Sequence, residues 1–546
     1  MTNKVRRAIR LGKWGRLNRL LEVGYFPEEL PPPFVSHTFA RFRRSLLREW
    51  MGVPQFENFR SRPEHLTIPR FAAARRRATI PNPVNYFRLS HLIAQEWREI
   101  RDFIATSKIT EFRPIFDAEG PRSIFRLDFG IVDRRTAEIL SEYNHVFKTD
   151  ITRFYHSIYT HSIAWALHEK SWVKANMRSP GFKASLGNKL DFELRKGQED
   201  QTIGIPIGPD TSRIISEIIA VGLERELAKR LRDLDRRSVR YVDDILIGYD
   251  ESESDELITA ALEGAMSHYE LDINISKTKT LGVKEREKIQ WISELRACRV
   301  RLFPAAAQRE DIERFFRTAL VLAEENEKDS VLKWATKRSR SFNVSNQNFE
   351  FLCDYIIRIT RKAPACLPIL AQALIDANNA GRPIPRVRIQ KFVDDIIAIH
   401  SPVGHAFEVG WALFIAKGLR LKLKSDQLKD AFILESSMTA LLCMDLNNRS
   451  LIEGGVREDA WLPYASEEGL SSPMWLLAYE AAKKGWWASR DRAYVENSPL
   501  FGPMLRRGVS FYDEKRNVPK LRRELRDAKT QRIRVGIILN HWMDYF

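Results

Sequence analysis

The sequence predicts an α+β protein: a basic helical extension over residues 1–75, a mixed strand-and-helix region over 76–305, and an all-α, repeat-like half over 306–546 that ends in a basic tail. Three observations carry this. Two adjacent carboxylates sit inside a hairpin pattern at Tyr241-Val242-Asp243-Asp244. Beyond residue 306 apolar residues recur at helical spacing, one stripe after another. Residues 1–77 hold 17 Lys and Arg against 6 Glu and no Asp.

At 546 residues the chain is long enough for two or more domains with large cores. With 44% hydrophobic and 29% charged residues it reads as globular, which excludes a disordered chain. A formal net charge of +17 points to a polyanionic partner, nucleic acid above all. Cys298, Cys353, Cys366 and Cys443 lie far apart without metal-type pairing and read as free thiols of a reducing compartment. No apolar run reaches the ~18 residues of a membrane span. The basic, acid-free stretch from Lys4 to Arg19 resembles a transit peptide in composition. Arg-rich segments flank both ends of the chain, however, so a nucleic-acid arm in a cytoplasmic protein is the reading adopted.

In chain order, Val5, Ile9, Leu17, Leu20 and Leu21 predict an amphipathic helix over 1–22, and a second basic helix follows at 38–50 after Pro31-Pro32-Pro33. Ile80-Pro81-Asn82-Pro83 leads into a helix ending near Ile104. Glu111–Phe116 and Arg122–Phe129 flank the turn Asp117–Pro121 as a hairpin decorated by Arg113, Arg122 and Arg126, each able to hold a triphosphate. Phe147–Asp150 is a short apolar strand delivering Asp150 at its end, with a helix from about Ser157; an Asp there also suits an ordinary helix cap. Gly204-Ile205-Pro206-Ile207-Gly208 precedes a helix with Ile214, Ile215, Ile218, Ile219 and Leu223 on its apolar side. Such a loop lets backbone approach a ligand closely. The stretch Leu271–Lys279 reads as a short strand turning into a loop bearing Lys277 and Lys279.

The stretch Ser238–Tyr249 reads as strand, tight turn and returning strand, with Asp243 and Asp244 at the turn. Two neighbouring carboxylates repel, and burying them without a partner is costly. A divalent cation compensates, and oxygen-only ligands favour Mg²⁺. A solvated acidic turn has the same pattern. A second pair, Asp394-Asp395, separates the two readings: there Ile389, Phe392, Val393, Ile396 and Ile397 fall on one helix face after Pro383 and Pro385. Those carboxylates lie on the wet side and need no metal. Further stripes at Phe349–Ile357, 367–377, 407–416 and 426–444, and a helix opened by Ser472-Pro473 and closed by Gly485, predict a loose solenoid of antiparallel helix pairs.

Asp150, the Gly208–Ser212 loop, Tyr241–Asp244 and Asn274-x-x-Lys277, in this order and spacing, resemble the reverse transcriptases over residues 76–300. Ile207-Gly208 stands where the family usually has Gln-Gly, and Ser212-Arg213 where it has Ser-Pro. The strings 148–163 and 204–213 look most like bacterial abortive-infection and other phage-defence enzymes, whose C-terminal half is helical. Nothing resembles an RNase H or HNH domain, which argues against a complete retroviral or mobile-intron enzyme. The resemblance implies a right-hand polymerase of fingers and palm in which Asp150, Asp243 and Asp244, with Ile151 beside the first, hold two Mg²⁺ ions.

It also implies that Lys277, with Lys279 as fallback, protonates pyrophosphate. Tyr155, with Phe154 beside it, gates the nucleotide sugar so that DNA is the product. Gly208 and Ser212 match the loop that supports template and incoming nucleotide, and Arg122 of the hairpin joins the substrate side on its own reading. The implied activity is RNA-directed DNA synthesis from dNTPs, in anti-phage defence with a non-coding RNA as template or scaffold, by a possible homo-oligomer. Two alternatives stay open: template-independent, protein-primed synthesis, with Tyr25, Tyr512 and Tyr545 as mobile acceptors, and a non-catalytic RNA-binding scaffold.

Overall fold

The computed structural model describes residues 11–70, 74–125, 130–282, 290–327, 329–489 and 491–518. Arg126, the basic residues before 11, the tail beyond 518 and Tyr545 lie outside them.

The described residues open on helix α1 (Lys13–Val23) and reach a hairpin of β1 (Glu64–Pro69) and β2 (Arg75–Ile80) before α2 (Pro83–Gln95). Pro83 occupies the first turn of α2, and the Asn82 side chain accepts from the Val84 N–H, so the start of α2 is capped by the Pro-Asn-Pro break itself. The central sheet has four strands: β3 (His145–Asp150), β4 (Ser238–Tyr241), β5 (Asp244–Tyr249) and β6 (Lys279–Gly282). They lie in the order β4-β5-β3-β6, each antiparallel to its neighbour. Between β3 and β4 runs α3 (Asp210–Ala228), and between β5 and β6 runs α4 (Asp255–His268). Helix α3 is buried on nearly every side, its Asp210, Glu217 and Glu224 included, so those charges need partners inside the fold. Ile214, Ile218 and Leu223 of α3 and Leu262 and Met266 of α4 share one core with Phe147, Ile245 and Ile247 of the sheet.

Beyond residue 305 the described chain is helical apart from the two-residue strands β7 (Leu423–Lys424) and β8 (Ile452–Glu453). The larger helices are α5 (Ala305–Glu325), α6 (Val331–Ser339), α7 (Asn346–Lys362), α8 (Leu367–Asn379), α9 (Arg386–His400), α10 (Ala406–Leu419), α11 (Ser437–Asn448) and α12 (Trp475–Lys484). Gly485 ends α12 in the left-handed region at φ +62°, a conformation that costs glycine nothing.

The N-terminal stretch is no separate arm. Leu17, Tyr25, Phe39 and Trp50 belong to the same core as Trp475, Tyr479 and Phe511. Trp50 Nε1 donates to the Leu500 carbonyl at 2.8 Å, and Trp411 Nε1 donates to the Glu29 carbonyl at 2.9 Å. The Arg75 guanidinium of β2 takes both oxygens of buried Glu408 on α10, at 2.7 and 2.9 Å. A boundary drawn at 75/76 falls inside β2, and the arginines of α1 are spent internally: Arg16 on the Ala94 carbonyl, Arg19 on those of Asp117 and Arg122.

Other expectations shift locally. Of the 111–129 hairpin, the described part (111–125) pairs at the isolated bridge Phe116 to Ile124, with Asp117 accepting from the Glu119 and Gly120 N–H groups at the turn; 126–129 lie outside the described residues. The helix expected from Ser157 is instead a short one over Phe154–Ser157, followed by another over Ser162–His168. The basic helix at 38–50 is two pieces meeting at Phe42. The 426–444 stripe divides into a 3₁₀ turn at Ser425–Leu428 and α11, which Ser436 caps.

Candidate active site at the palm hairpin

Strands β4 and β5 are joined by the two residues Val242 and Asp243, and the carboxylates follow from that turn. Across the ladder Asp244 faces Tyr241 on one side and Asp150 on the other. Asp243 sits on the turn itself. Val242 adopts φ +59°, a region β-branched residues avoid, so the turn is strained at its first corner. Arg240 holds it: its Nη1 donates to the Val242 carbonyl at 2.9 Å. Arg240 is fully buried and also bonds Glu217 and Glu224 of α3, at 2.6 Å to Glu217 Oε1 and 2.5 Å to Glu224 Oε1. Thr110 donates to Glu217 at 2.9 Å and Ser107 to Glu224, so the buried charges are enclosed by hydrogen bonds.

Asp150 is buried at the end of β3, and Lys277 contacts its Oδ2. Its Oδ1 is buried with no hydrogen-bond partner among the described residues. Asp243 is pushed up to about 6, first by burial and then by the Asp244 and Asp150 charges. Asp244 is raised as well, by burial, with Lys148 opposing and Asp150 adding. Negative charge is thus in excess here, and a buried acceptor stands unused. Both features fit a divalent cation held by Asp150, Asp243 and Asp244. The Ile151 side chain lies in the core, which leaves only its backbone carbonyl as a ligand atom.

Of the other predicted residues, Tyr155 is half-buried, and its hydroxyl accepts from Ser216 Oγ at 3.1 Å. Phe154 is buried edge-on to it, with ring centres 5.9 Å apart. Ser212 is buried on α3, its hydroxyl without a partner. Gly208 takes φ +122°, and a Cβ there would lie 2.8 Å from Pro27. Arg122 is not available to a triphosphate: it is buried, with Asp210 at 2.7 Å and the Phe26 and Gly208 carbonyls at 2.7 and 2.8 Å using its donors. The second acidic pair behaves as a surface pair, Asp395 taking Arg361 at 2.8 Å and Asp394 taking Gln390 at 3.0 Å on α9.

Among the described residues, His400 at the end of α9, His405 just before α10 and Glu408 on α10 bring ligand atoms within 4.8 Å of one another. Both Glu408 oxygens there are already held by Arg75, and the two Nδ1 atoms face each other at 3.0 Å.

One carboxylate at the end of β3 and two on the adjoining hairpin thus converge on one end of an antiparallel sheet. Residues 80–294 match the family described as reverse transcriptase (RNA-dependent DNA polymerase), so the chain carries a reverse transcriptase domain with fingers and palm. Similar solved structures include apo telomerase from Candida Tropicalis, at 10% identity over 74% of this chain and 72% of that one, TM-score 0.31. They also include telomerase from Candida albicans with a TWJ fragment of telomeric RNA, at 10% identity over 61% and 66%, TM-score 0.27. At such scores the fold assignment stands on the palm geometry and the family match. No curated protein matches the chain.

Proposed function

We propose that the protein is an RNA-directed DNA polymerase that makes DNA from dNTPs with two Mg²⁺ ions. The observation that carries this reading is the register that sets Asp150 against Asp244 beside Asp243, with the buried Asp150 Oδ1 unused. Asp150, Asp243 and Asp244 hold the metals. When bound, these supply Lewis-acid stabilisation of the attacking and departing oxygens in an in-line displacement. The chain's own residues do the remainder. Arg240 fixes the turn that presents Asp243. Lys277, on Asp150, is placed to give a proton to the departing pyrophosphate. Tyr155 lies beneath the sugar and excludes a 2′-hydroxyl.

Net charge +17 supports an RNA partner, and the strings 148–163 and 204–213 support a place in phage defence with a non-coding RNA. The test is labelled dNTP incorporation by purified protein with its co-purified RNA. Metal-dependent product in the wild type, absent from Asp243→Asn/Asp244→Asn, is expected. Equal product from that variant overturns the reading, and no product from either favours a non-catalytic RNA-binding scaffold.

A further inference from the structure

Outside the palm, the turn between α9 and α10 gathers three side chains of a metal-ligating kind. His400 closes α9, His405 stands just before α10, and Glu408 lies in the first turn of α10. The link Ser401–Gly404 is tight: Gly404 takes φ +73°, and the His405 N–H donates to the His400 carbonyl at 3.0 Å. That turn sets the two imidazoles side by side, with ring centres 5.3 Å apart. Pro402, Val403 and Gly404 are exposed and the His405 side chain is half-buried, so solvent and ions reach this end of the pair.

The spacing suits a single ion. His400 Nδ1 and His405 Nδ1 lie 3.0 Å apart. Two nitrogens held ~2.0–2.1 Å from one tetrahedral Zn²⁺ lie about 3.3 Å apart, so a small movement separates this pair from a shared ion. Glu408 Oε1 lies 3.9 Å from His405 Nδ1. It needs to close by only about 0.6 Å on the same basis. Arg75 takes both Glu408 oxygens, at 2.7 and 2.9 Å. A carboxylate, however, offers about four lone-pair sites, of which Arg75 fills two. Glu408 Oε1 can therefore accept from Arg75 and ligate a metal at once.

We propose that His400, His405 and Glu408 form a site for a transition-metal ion of the Zn²⁺ type, with water completing the shell, and that the ion shares Glu408 with Arg75. Two imidazoles and one carboxylate suit Zn²⁺, whereas Mg²⁺ takes oxygen ligands, so the palm carboxylates and this site select different ions. Two cations on one carboxylate repel across it, and metal binding weakens the Arg75–Glu408 pair by as much as Arg75 weakens the metal. That pair joins β2 to α10, and on β2 the Thr79 N–H donates to the Ile207 carbonyl at 2.8 Å, in the loop ahead of α3. Occupancy of the site thus loosens the hold of the helical half on the β1–β2 hairpin. Nothing in the site depends on the polymerase reading.

The probe is Co²⁺, added to chelator-stripped full-length protein with Mg²⁺ in excess to occupy the palm carboxylates. Four-coordinate Co²⁺ absorbs far more strongly in the visible than Co²⁺ in water, so the band reports the site without any turnover. One equivalent should give that band, Zn²⁺ should remove it, and Asp243→Asn/Asp244→Asn should show it undiminished. His400→Ala and His405→Ala should each abolish it, and Glu408→Gln should weaken it. Both histidines are half-buried beside an exposed loop, so their variants should melt like wild type without metal. Wild type, but neither histidine variant, should gain melting temperature from Zn²⁺. Arg75→Gln, read by competition with a chromophoric chelator, should bind Zn²⁺ about tenfold more tightly. Absence of the four-coordinate band in wild type, or a band that survives both histidine changes, overturns the proposal. Unchanged or weaker Zn²⁺ binding in Arg75→Gln overturns the shared carboxylate.

Discussion

Arg240 Nη1 donates to the Val242 carbonyl at 2.9 Å, tying the most buried cation of the palm to the most strained residue of the acidic turn. The link gives Arg240 two separable duties. It neutralises Glu217 and Glu224, and it fixes the corner from which Asp243 projects. Arg240→Met should cost roughly 3–5 kcal/mol in denaturant unfolding, because two carboxylates are left buried without a cation. Adding Glu217→Gln and Glu224→Gln should recover much of that stability. Incorporation should stay low in the triple variant, since nothing then holds Val242. Recovery of both together would reduce Arg240 to a charge partner.

The raised Asp243 makes a prediction about pH. A carboxyl whose folded value is about 6, against ~3.9 unfolded, favours folding while protonated. Its penalty is absent below about pH 4, grows through the interval, and is complete above about pH 6. Without divalent cations, wild type should therefore lose roughly 2–3 kcal/mol of stability across that window relative to Asp243→Asn. Parallel pH curves for the two proteins would contradict the geometry. Mg²⁺ should raise the melting temperature of wild type and leave Asp243→Asn/Asp244→Asn unmoved.

The hairpin and its carboxylates were legible in the sequence because a tight turn, apolar residues on both sides and an adjacent acidic pair are all local. The contrast with Asp394-Asp395 was legible for the same reason: α9 runs from Arg386 to His400, as its apolar spacing predicts. Arg240 was missed. Its signal was a lone cation inside an apolar strand, matched by Glu217 and Glu224 seven residues apart on one side of an apolar helix. Arg122 was misjudged because its partner, Asp210, lies 88 residues away, and no local pattern announces so distant a pair. The packing of α1 against the palm and C-terminal half is non-local in the same sense. Composition alone made it look like an arm.

The α9 carboxylates offer a control within the same chain. Asp394→Asn and Asp395→Asn each remove an exposed or half-exposed partner of Gln390 or of Arg361 and Lys391, contacts worth ~0–1 kcal/mol. Incorporation should remain at the wild-type level in both. A loss comparable to Asp243→Asn would place the chemistry on the wrong pair.

At the sugar, Tyr155→Ala removes the ring and leaves the Ser216 hydroxyl without that acceptor. Incorporation of rNTP relative to dNTP should rise, by tenfold or more if the ring carries about 1.4 kcal/mol of the discrimination. An unchanged ratio would pass the gate to another residue, and Phe154, packed edge-on against Tyr155, is the next to change.

Protein priming would need a tyrosine hydroxyl that can reach the metals, and the burial of Tyr25 and Tyr512 speaks against both. Each is fully buried, Tyr25 donating to the Pro81 carbonyl at 2.6 Å and Tyr512 to Asp445 at 2.7 Å. Burial raises both phenols well above 10, which disfavours the phenolate that attack requires. Tyr25→Phe and Tyr512→Phe should each cost about 1–2 kcal/mol of stability for the lost hydrogen bond. Asp445 keeps Lys417 at 2.7 Å and Arg449 at 2.6 Å after the second change. With labelled dNTPs, the amount and protease sensitivity of protein-bound label should match wild type in both variants. If Tyr512→Phe alone abolished that label while folding normally, the C-terminal segment would have to leave its core position for synthesis to begin.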